Sequence, residues 1–339
     1  MRVLILGGTG VISRAIVQQL LLDQHEVVIF NRGNKMVPYS SEVEHIIGDR
    51  HHIEQFEKQM QKQKFDVVID MIGFNRQDAQ TTVRIFGERT EHLIVCSSVA
   101  AYQRPLHSIP TIEAQESLID EPTFLYGYQK AEMERYLHKV IQERSLPITI
   151  IRPSLTFGIG SENIGVLRQN YGIVDRIRKG KPLVMFGDGT TPWNFTFAAD
   201  LAKAFVFAMG NPATHGKAYH VTNGDLHYWE DLYLEFGRIV GVEPNIVHIS
   251  TQMLTAVAPQ LFGHIDDEKK YPSVFDCRKF SQDVPAFQST ISLEQGLKSI
   301  VHWYEETHHA VDFAKDELED KLVELHQEWI SQVGNMYPR

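Results

Sequence analysis

The sequence predicts an α/β fold in which a doubly wound parallel sheet is followed by a smaller, mixed C-terminal domain. Short apolar runs alternate with helical patterns along the first half of the chain, which is typical of βαβ units. The first run leads into a glycine-rich turn that opens a helix. The 339 residues are enough for about two domains, because a typical domain has ~150 residues.

Six short strands are predicted in the first half, because each run is apolar and rich in β-branched residues, as buried parallel strands are. Helical spacing of apolar residues follows the first strand, from Val11 to about Gln24. A second helix is predicted from Tyr126 to Arg144, and Pro147 prevents it from continuing. The predicted strands are residues 3–6, 27–30, 45–47, 67–71, 93–96 and 148–151.

The alternation loosens from about residue 159, where loop-like segments separate the remaining helices. Helices are predicted near residues 198–209, 228–240 and 292–306, with a short extended piece at 219–222. We therefore expect a first domain of residues 1–158 plus about 195–224, and a second of about 159–194 plus 225–310. Residues 311–339 are predicted to form a terminal helix that docks through an apolar stripe of Leu318, Leu322, Leu325 and Trp329.

Charge and composition narrow the classes of partner. With 33 Lys and Arg against 43 Asp and Glu, the net charge of −10 repels phosphate backbones and acidic lipids. Cys96 and Cys277 cannot build a disulfide framework, and no apolar run approaches the ~18 residues of a membrane span. Histidine pairs such as His51-His52 lack an acidic partner at metal-ligand spacing. We expect a cytoplasmic protein with no metal and no nucleic-acid or membrane partner.

The glycine-rich turn after the first strand predicts a phosphate-binding site. Gly7 permits the tight turn, and Gly10 lets the backbone approach a pyrophosphate at the start of the helix, where Val11 and Ile12 follow. Ser13 stands where a third small residue allows close packing of helix and strand. The alternative is a glycine-rich turn without a ligand, but its place between a strand and a helix favours a dinucleotide.

Residues at the ends of the next strands indicate which dinucleotide is bound. A fold specific for NAD normally places an acid at the end of the second strand, but this chain has Asn31 and Arg32. Arg32 can pair with a 2′-phosphate, which favours NADP over NAD, although an exposed arginine opening a turn is an alternative. Asp49 follows the third strand, near the expected adenine, and Met71 and Gly73 follow the fourth, on the nicotinamide side.

Tyr126 and Lys130 are the catalytic candidates. They stand four residues apart on one helix, so that phenol and ammonium project from the same face. A tyrosine is a poor base at neutral pH, but a nearby lysine and an oxidised nicotinamide favour its phenolate form. Ser98, at the end of the fifth strand, can hydrogen-bond the reacting oxygen. The alternatives are a chance pair on a surface helix, and Tyr128 in place of Tyr126.

Several motifs together resemble the extended short-chain dehydrogenase/reductase superfamily, specifically the NAD-dependent epimerase/dehydratase family. The likeness runs from residue 1 to about 306. It rests on GGTGVIS, GDR, CSSVAAY, YGYQK, Arg152-Pro153-Ser154, the segment from Phe197 to Ala202, and the segment from Phe275 to Lys279.

The resemblance implies a Rossmann-type dinucleotide-binding domain, a separate substrate domain, and a structural role for Asp200 at the turn between them. The catalytic triad would be Ser98, Tyr126 and Lys130, acting by hydride transfer on a secondary alcohol of a sugar or nucleotide-sugar-like substrate. A homodimer is a further possibility. The implied cofactor contacts are Gly7, Gly10, Val11, Ile12, Asn31, Arg32, Asp49, Met71, Gly73, Lys130 and Pro153.

Three departures from the family pattern leave other substrates and functions open. Ser13 replaces the third glycine, the second strand lacks its acid, and Asp70 and Ser98 are only 28 positions apart. The shortened stretch is similar to that of atypical relatives that include chloroplast stem-loop RNA-binding proteins. A non-catalytic dinucleotide-binding or RNA-binding protein is therefore the alternative function. Trp193 and Phe195 are interpreted either as core residues or as the wall of a sugar pocket.

Overall fold

The structure is a computed structural model that describes residues 1–35, 39 and 42–336. The strands are β1 Arg2–Leu6, β2 Glu26–Asn31, β3 Val43–Ile47, β4 Val67–Asp70, β5 His92–Cys96, β6 Ile148–Pro153, β7 Leu155–Phe157, β8 Leu183–Phe186, β9 Pro192–Trp193, β10 Phe195–Phe197, β11 Ala218–Val221, β12 His227–Tyr228 and β13 Ile246–Ile249. The helices are α1 Val11–Leu22, α2 Ile53–Gln61, α3 Arg76–Phe86, α4 Leu125–Arg144, α5 Tyr171–Arg178, α6 Ala198–Ala208, α7 Asp231–Val240, α8 Thr251–Val257, α9 Pro259–His264, α10 Arg278–Asp283, α11 Leu293–Glu306 and α12 Phe313–Met336.

A seven-stranded parallel sheet in the order β11-β6-β5-β4-β1-β2-β3 forms the centre of the first half. The predicted α/β fold class is therefore confirmed. The sequence predicted six strands there, and the seventh is the short extended piece near residue 219, which pairs with β6. The chain proceeds outward from β1 through β2 to β3 and then returns to place β4 on the other side of β1. Open parallel sheets bind ligands at such a reversal, at the carboxyl ends of the strands.

Both faces of this sheet are buried, which explains why its strands are continuous apolar runs. On one face, side chains of β1 and β2 such as Ile5 and Ile29 pack with α1 and with Phe205 of α6. On the other face, alternate side chains such as Leu6 pack with residues of α2, α3 and α4, among them Leu137. The period of two along each strand thus separates two apolar cores.

The chain divides into two compact units. Unit 1 consists of residues 1–156, 194–225 and 274–290, and unit 2 of residues 157–193, 226–273 and 291–339. The segment 274–290, which the sequence analysis placed in the second domain, clusters with unit 1, where α10 contacts β11. Asp200, also in unit 1, is fully buried and accepts hydrogen bonds from the backbone and side chain of Thr290 and from Ser289.

Unit 2 contains the parallel pair of β8 and β13 and the antiparallel pair of β9 and β12, with helices around them. Burial favours the interpretation of Trp193 and Phe195 as core residues over that of a pocket wall, because each is about 1% exposed. In unit 2, the ring of Trp193 packs at 5.3 Å from that of Trp229, with the two planes tilted by 59°. Both residues are core residues of their own units.

The terminal helix α12, itself part of unit 2, is held against α5 by charged side chains. The buried Arg176 of α5 lies 2.5 Å from Asp316, 3.2 Å from Glu319 and 2.7 Å from Asp320, and we call these four residues the helix anchor. Of the predicted stripe, Leu322 is buried, but Leu325 and Trp329 are 49% and 56% exposed. The predicted docking through the stripe therefore holds for Leu322 and is wrong for Leu325 and Trp329. Helical spacing marks an apolar face, but Asp316, Glu319 and Asp320 on the neighbouring face pair with Arg176.

In residues 1–35, 39 and 42–336, no helix combines the length and the apolar character that a membrane crossing requires. No group of three or more His, Cys, Asp or Glu side chains there is arranged to hold a metal ion.

Candidate active site

The glycine-rich turn lies where the chain passes from β1 to α1. The backbone amide of Gly7 donates to Phe30 at 2.8 Å, and its carbonyl accepts from the side chain of Asn31 at 2.9 Å. A Cβ atom on Gly7 would lie 3.4 Å from Met71 and 3.3 Å from Ile72, so the turn packs directly against the loop after β4. The structure therefore brings Gly7, Asn31 and Met71 together at the reversal point of the sheet.

Gly8 is the glycine that the fold itself requires, although the sequence analysis gave it no role. Its φ angle is +97°, and a Cβ atom would lie 2.8 Å from Ile29 of β2. The carbonyl of Gly8 accepts a hydrogen bond from the Tyr39 hydroxyl at 2.6 Å. Tyr39 is a second residue that the sequence analysis missed, because no spacing rule connects it to the turn.

Gly10 is the N-cap of α1 and leaves open space in front of the helix. Its only neighbour within 4 Å of an ideal Cβ, among the described atoms, is Ser13 Oγ at 3.4 Å. Ser13 is buried and caps the helix by accepting from the Gly10 amide at 3.0 Å. Val11 and Ile12 head the helix and are half-buried. The first amides of any helix lack partners within the helix, so this N-terminus, with open space before it, suits the pyrophosphate of a dinucleotide.

The end of β2 presents one structural residue and one exposed charge. Asn31 Oδ1 accepts from the Gly33 amide at 2.9 Å and lies 3.0 Å from His45 Nε2, so this side chain braces the turn on both sides. Arg32 is exposed. Asp49, after β3, accepts from the His51 amide at 2.9 Å, and this bond, with smaller contributions that include the charge of Arg32, lowers the pKa of Asp49.

Lys130 is the most strongly held of the candidate catalytic residues. Its ammonium group donates to the carbonyls of Gly73 and Cys96, each at 2.7 Å, and its side chain is 2% exposed. The ring of Phe74 faces the ammonium at 5.0 Å from its centroid. Lys130 therefore joins the loop after β4 to the end of β5. The residue that it contacts there, Cys96, stands two residues before Ser98. Gly73 was predicted to lie near the nicotinamide, whereas no spacing or motif in the sequence pointed to Phe74.

Tyr126 lies at the solvent end of the helical face that carries Lys130. It is the second residue of α4 and is 41% exposed, and its ring lies 6.0 Å from that of Phe124. The next residue, Gly127, touches the turn formed by residues 99–101, since a Cβ atom there would lie 2.2 Å from the Ala100 carbonyl. Ser98 caps the same turn by accepting from the Ala100 amide at 3.1 Å. The Ser98 hydrogen is then left to donate.

A buried ion pair follows Lys130 by one further helical turn. Glu134 is fully buried, and Arg152 Nε donates to both of its oxygens at 3.0 Å. Ser97 also donates to Glu134. Burial acts to raise the pKa of Glu134, but Arg152 and the Ser97 hydrogen bond hold it below its usual value. One signal in the sequence points to this pair, because an acid four residues after Lys130 lies on the same helical face.

Arg152 also ties the ion pair to a second buried pair of polar side chains. Its Nη1 donates to the Tyr102 hydroxyl at 2.6 Å, and that hydroxyl lies 2.7 Å from His220 Nε2. Burial lowers the pKa of His220 to about 3, so its imidazole is neutral. Pro153, the next residue of β6, pairs with Val221 of β11 within the sheet. The cofactor role of Pro153 stays a prediction.

Comparison with protein families identifies one match. The model described as the NAD dependent epimerase/dehydratase family matches residues 3–222, which cover the whole sheet and the candidate site.

Two curated proteins and one solved structure illustrate the range of relatives. The 2′-dehydrokanamycin reductase of Streptomyces kanamyceticus is 24% identical over 85% of this chain and 80% of its own length. The chloroplast stem-loop binding protein of 41 kDa b of Arabidopsis thaliana is 25% identical over 73% of this chain and 65% of its own length. The dTDP-glucose 4,6-dehydratase of Bacillus anthracis in complex with NAD superimposes with a TM-score of 0.74, at 16% identity over 90% of this chain and 97% of that chain.

Proposed function

The chain belongs to the NAD-dependent epimerase/dehydratase family, and from this premise we propose that it is a nicotinamide-dependent enzyme acting on a secondary alcohol or carbonyl of a sugar-like substrate. The observation that carries the proposal is the arrangement of α4. A buried lysine ammonium is fixed between the ends of β4 and β5, and a solvent-accessible tyrosine lies one helical turn before it. Family and solved neighbours indicate a nicotinamide dinucleotide as cofactor.

The three candidate residues divide the chemistry as follows. Tyr126 takes the hydroxyl proton from the substrate during oxidation and returns it during reduction. Lys130 supplies a positive charge that favours the phenolate, and its ammonium lies at the edge where the nicotinamide ribose would be held. Ser98 donates to the reacting oxygen. A nicotinamide, when bound, supplies the hydride acceptor or donor for the carbon atom of the same C–O group.

Cofactor contacts are assigned to the turn and the strand ends. The amides of Val11 and Ile12 and the open space at Gly10 favour a pyrophosphate over the start of α1. Arg32 is exposed beside Asp49, and its guanidinium would pair with a 2′-phosphate. We therefore favour NADP, with NAD as the alternative.

The substrate class rests on the relatives. The printed name of the Streptomyces relative specifies a reductase of 2′-dehydrokanamycin, and the Bacillus neighbour is a dTDP-glucose dehydratase. We propose a sugar or nucleotide-sugar-like substrate for this chain as well.

Tyr126→Phe tests the mechanism because the ring and its packing remain while the proton carrier is lost. Turnover on the substrate that a screen of sugar alcohols and ketones identifies should fall by about 10²–10⁴-fold, the usual contribution of a positioned acid or base. Tyr128→Phe is the matched control on the same helix and should retain activity. Retained turnover in Tyr126→Phe, or loss in Tyr128→Phe alone, would contradict the assignment.

Gly10→Ala tests the cofactor site because a methyl group there fits the protein but not an approaching pyrophosphate. Titration of NADP and NAD should show weaker binding in Gly10→Ala at unchanged melting temperature, whereas Gly263→Ala, which also has open space, should bind normally. Equal affinities in Gly10→Ala and wild type would remove the turn from the proposal. If wild type binds NAD at least tenfold more tightly than NADP, a difference of about 1.4 kcal/mol, the argument from Arg32 is wrong.

A second candidate function is RNA binding, and the similarity to the chloroplast stem-loop binding protein favours it. The net charge of −10 opposes it. Titration of a labelled stem-loop RNA at low and moderate salt separates the two functions. Salt-sensitive binding that persists in Gly10→Ala would support RNA binding independently of the dinucleotide site.

A further inference from the structure

A buried arginine that the proposed chemistry does not use lies beneath the loop that holds Lys130. Arg50 is 5% exposed and follows β3. Its Nη1 lies 2.9 Å and 3.1 Å from the two carboxylate oxygens of Asp70, the last residue of β4. Its Nη2 donates to the Asp78 carbonyl at 2.9 Å and to the Thr82 hydroxyl at 2.8 Å, both on α3. One guanidinium thus joins the segment after β3 to the end of β4 and to α3.

The two acidic partners of Arg50 fix the loop at residues 71–75. Asp70 Oδ1 accepts from the Ile72 amide at 3.0 Å, and Asp78 Oδ2 accepts from the Phe74 amide at 2.8 Å. Between these two fixed amides lies Gly73, whose carbonyl accepts from Lys130. The orientation of this carbonyl therefore depends on the two carboxylates that Arg50 holds.

The same carboxylates oppose the effect of burial on Lys130. Burial lowers the pKa of Lys130, while Cys96, Asp70, Glu134 and Asp78 act to raise it. Burial raises the pKa of the Cys96 thiol to about 11, so at neutral pH this thiol is uncharged and does not oppose the effect of burial on Lys130.

Each of those carboxylates also has a cation or a histidine beside it. Glu134 is paired with Arg152 and lies 3.8 Å from His138, and His51 lies 3.9 Å from Asp78. Asp70 and Asp78 share one guanidinium, that of Arg50. We call Arg50, Asp70, Asp78 and Lys130 the lysine cluster, which contains two cations and two carboxylates. Each of these four residues is at most 5% exposed.

We propose that Arg50 is a positioning residue for Lys130. It locks the loop that presents the Gly73 carbonyl, and it balances the two carboxylates that keep the lysine charged. The proposal rests on the proposed function, because it assigns Arg50 a role in catalysis through Lys130. Arg50 itself contacts neither substrate nor cofactor in this scheme.

The direct test is titration of Lys130 in protein labelled with ¹³C-lysine, with the Lys130 signal assigned from its absence in Lys130→Arg. In Arg50→Gln the uncompensated carboxylates favour the ammonium form, so the pKa of Lys130 should rise relative to wild type. Asp70→Asn removes one carboxylate and should lower it. Arg50→Lys keeps the charge and should restore a value close to that of wild type.

Thr82→Val is the matched control for disruption without a change in charge. Its hydroxyl accepts from Arg50 and donates to Asp70 at 2.6 Å, so the variant loses hydrogen bonds of the same network. The pKa of Lys130 should stay unchanged in it. The proposal is overturned if Arg50→Gln and Thr82→Val shift this pKa equally, or if neither Arg50→Gln nor Asp70→Asn shifts it. If Arg50→Gln does not fold, Asp70→Asn and Asp78→Asn give the same test with a downward shift.

Turnover supplies the second measurement. Misplacement of a reacting group by about 1 Å costs about 10²-fold in rate, so Arg50→Gln should lose activity on this scale and Arg50→Lys should regain part of it. The lysine titration needs neither substrate nor cofactor. A shifted pKa with full turnover would therefore reject a catalytic role for the cluster, whereas failure of the proposed function would appear as full turnover in Tyr126→Phe.

Discussion

The lysine cluster of unit 1 and the helix anchor of unit 2 are both buried ionic groups, but their charges are balanced differently. The lysine cluster has as many cations as carboxylates, and all are nearly inaccessible. In the helix anchor, Arg176 faces three carboxylates, and the side chains of Asp316 and Asp320 are 21% and 37% exposed. Lys181, 2.8 Å from Asp316 and 2.7 Å from Asp320, supplies a second positive charge at the surface.

This difference in charge balance indicates different roles, since the lysine cluster positions a loop and the helix anchor attaches a helix. A balanced and fully buried cluster has no solvent to absorb a displaced charge, so it defines one geometry, as a loop that presents a carbonyl to a lysine requires. The acid-rich helix anchor instead holds α12 against α5, and one carboxyl remains in excess even when the charge of Lys181 is counted. Burial, together with the charge of Asp316, raises the pKa of Glu319 to about 7. Fastening of α12 should therefore depend on pH.

Removal of Arg176, which contacts all three carboxylates of the helix anchor, should have the largest effect on stability of the changes considered. Arg176→Met leaves the fully buried Glu319 without its guanidinium, and loss of one partner of a buried pair costs about 3–5 kcal/mol of unfolding free energy. Arg178→Met is the matched control two residues away, because its pair with Glu305 is 42% and 46% exposed and should contribute at most about 1 kcal/mol. Urea denaturation measures both. Equal losses would show that Arg176 acts by packing alone.

A packing variant tests whether the lysine cluster needs close approach of α4 as well as charge. Gly127→Ala places a methyl group 2.2 Å from the Ala100 carbonyl, so α4 must move away from the turn that Ser98 caps. The free energy of unfolding should decrease by an amount near the upper end of the roughly 1–3 kcal/mol that overpacking costs. Turnover should fall with it. Gly263→Ala, with no described atom within 4 Å, serves as the control and should not be destabilised. A wild-type melting curve and turnover in Gly127→Ala would contradict the close approach.

The smallest effect concerns the pH dependence of the helix anchor. The folded pKa of Glu319, about 7, lies above its reference value of 4.5, so the native state binds more protons than the unfolded state between these pH values. Glu319 therefore makes its full contribution to stability below pH 4.5 and loses it as the pH rises to 7. Between pH 5 and 7 the free energy of unfolding should fall by about 2 kcal/mol. Glu319→Gln should remove this slope from urea denaturation series. A slope that persists unchanged would assign it to other groups.

The sequence was sufficient where one short segment contains its own physical signal. The turn from Gly7 to Ser13 and the pair Tyr126 and Lys130 are local patterns, and local backbone geometry decides them. The strands between residues 3 and 151 were found because a sheet buried on both faces needs continuous apolar runs. The seventh strand, Ala218–Val221, was found only as an extended piece, since its pairing with β6 joins residues about 70 positions apart.

Long-range contacts decided the rest. The third residue of the GDR motif, Arg50, meets Asp70 and Thr82 only because β3, β4 and α3 converge. The apolar stripe of α12 predicted the wrong contacts beyond Leu322, because the ionic contacts to Arg176 decide which face docks.

The sequence by itself therefore determined the fold class, the family and the candidate residues of the active site, because apolar periodicity and glycine positions act over a few residues. The tertiary structure alone decided which charges are buried together around Lys130 and which hold α12. The physical reason is that the free energy of a buried charge depends on its nearest partners and on the loss of water, and both are fixed only when distant segments pack.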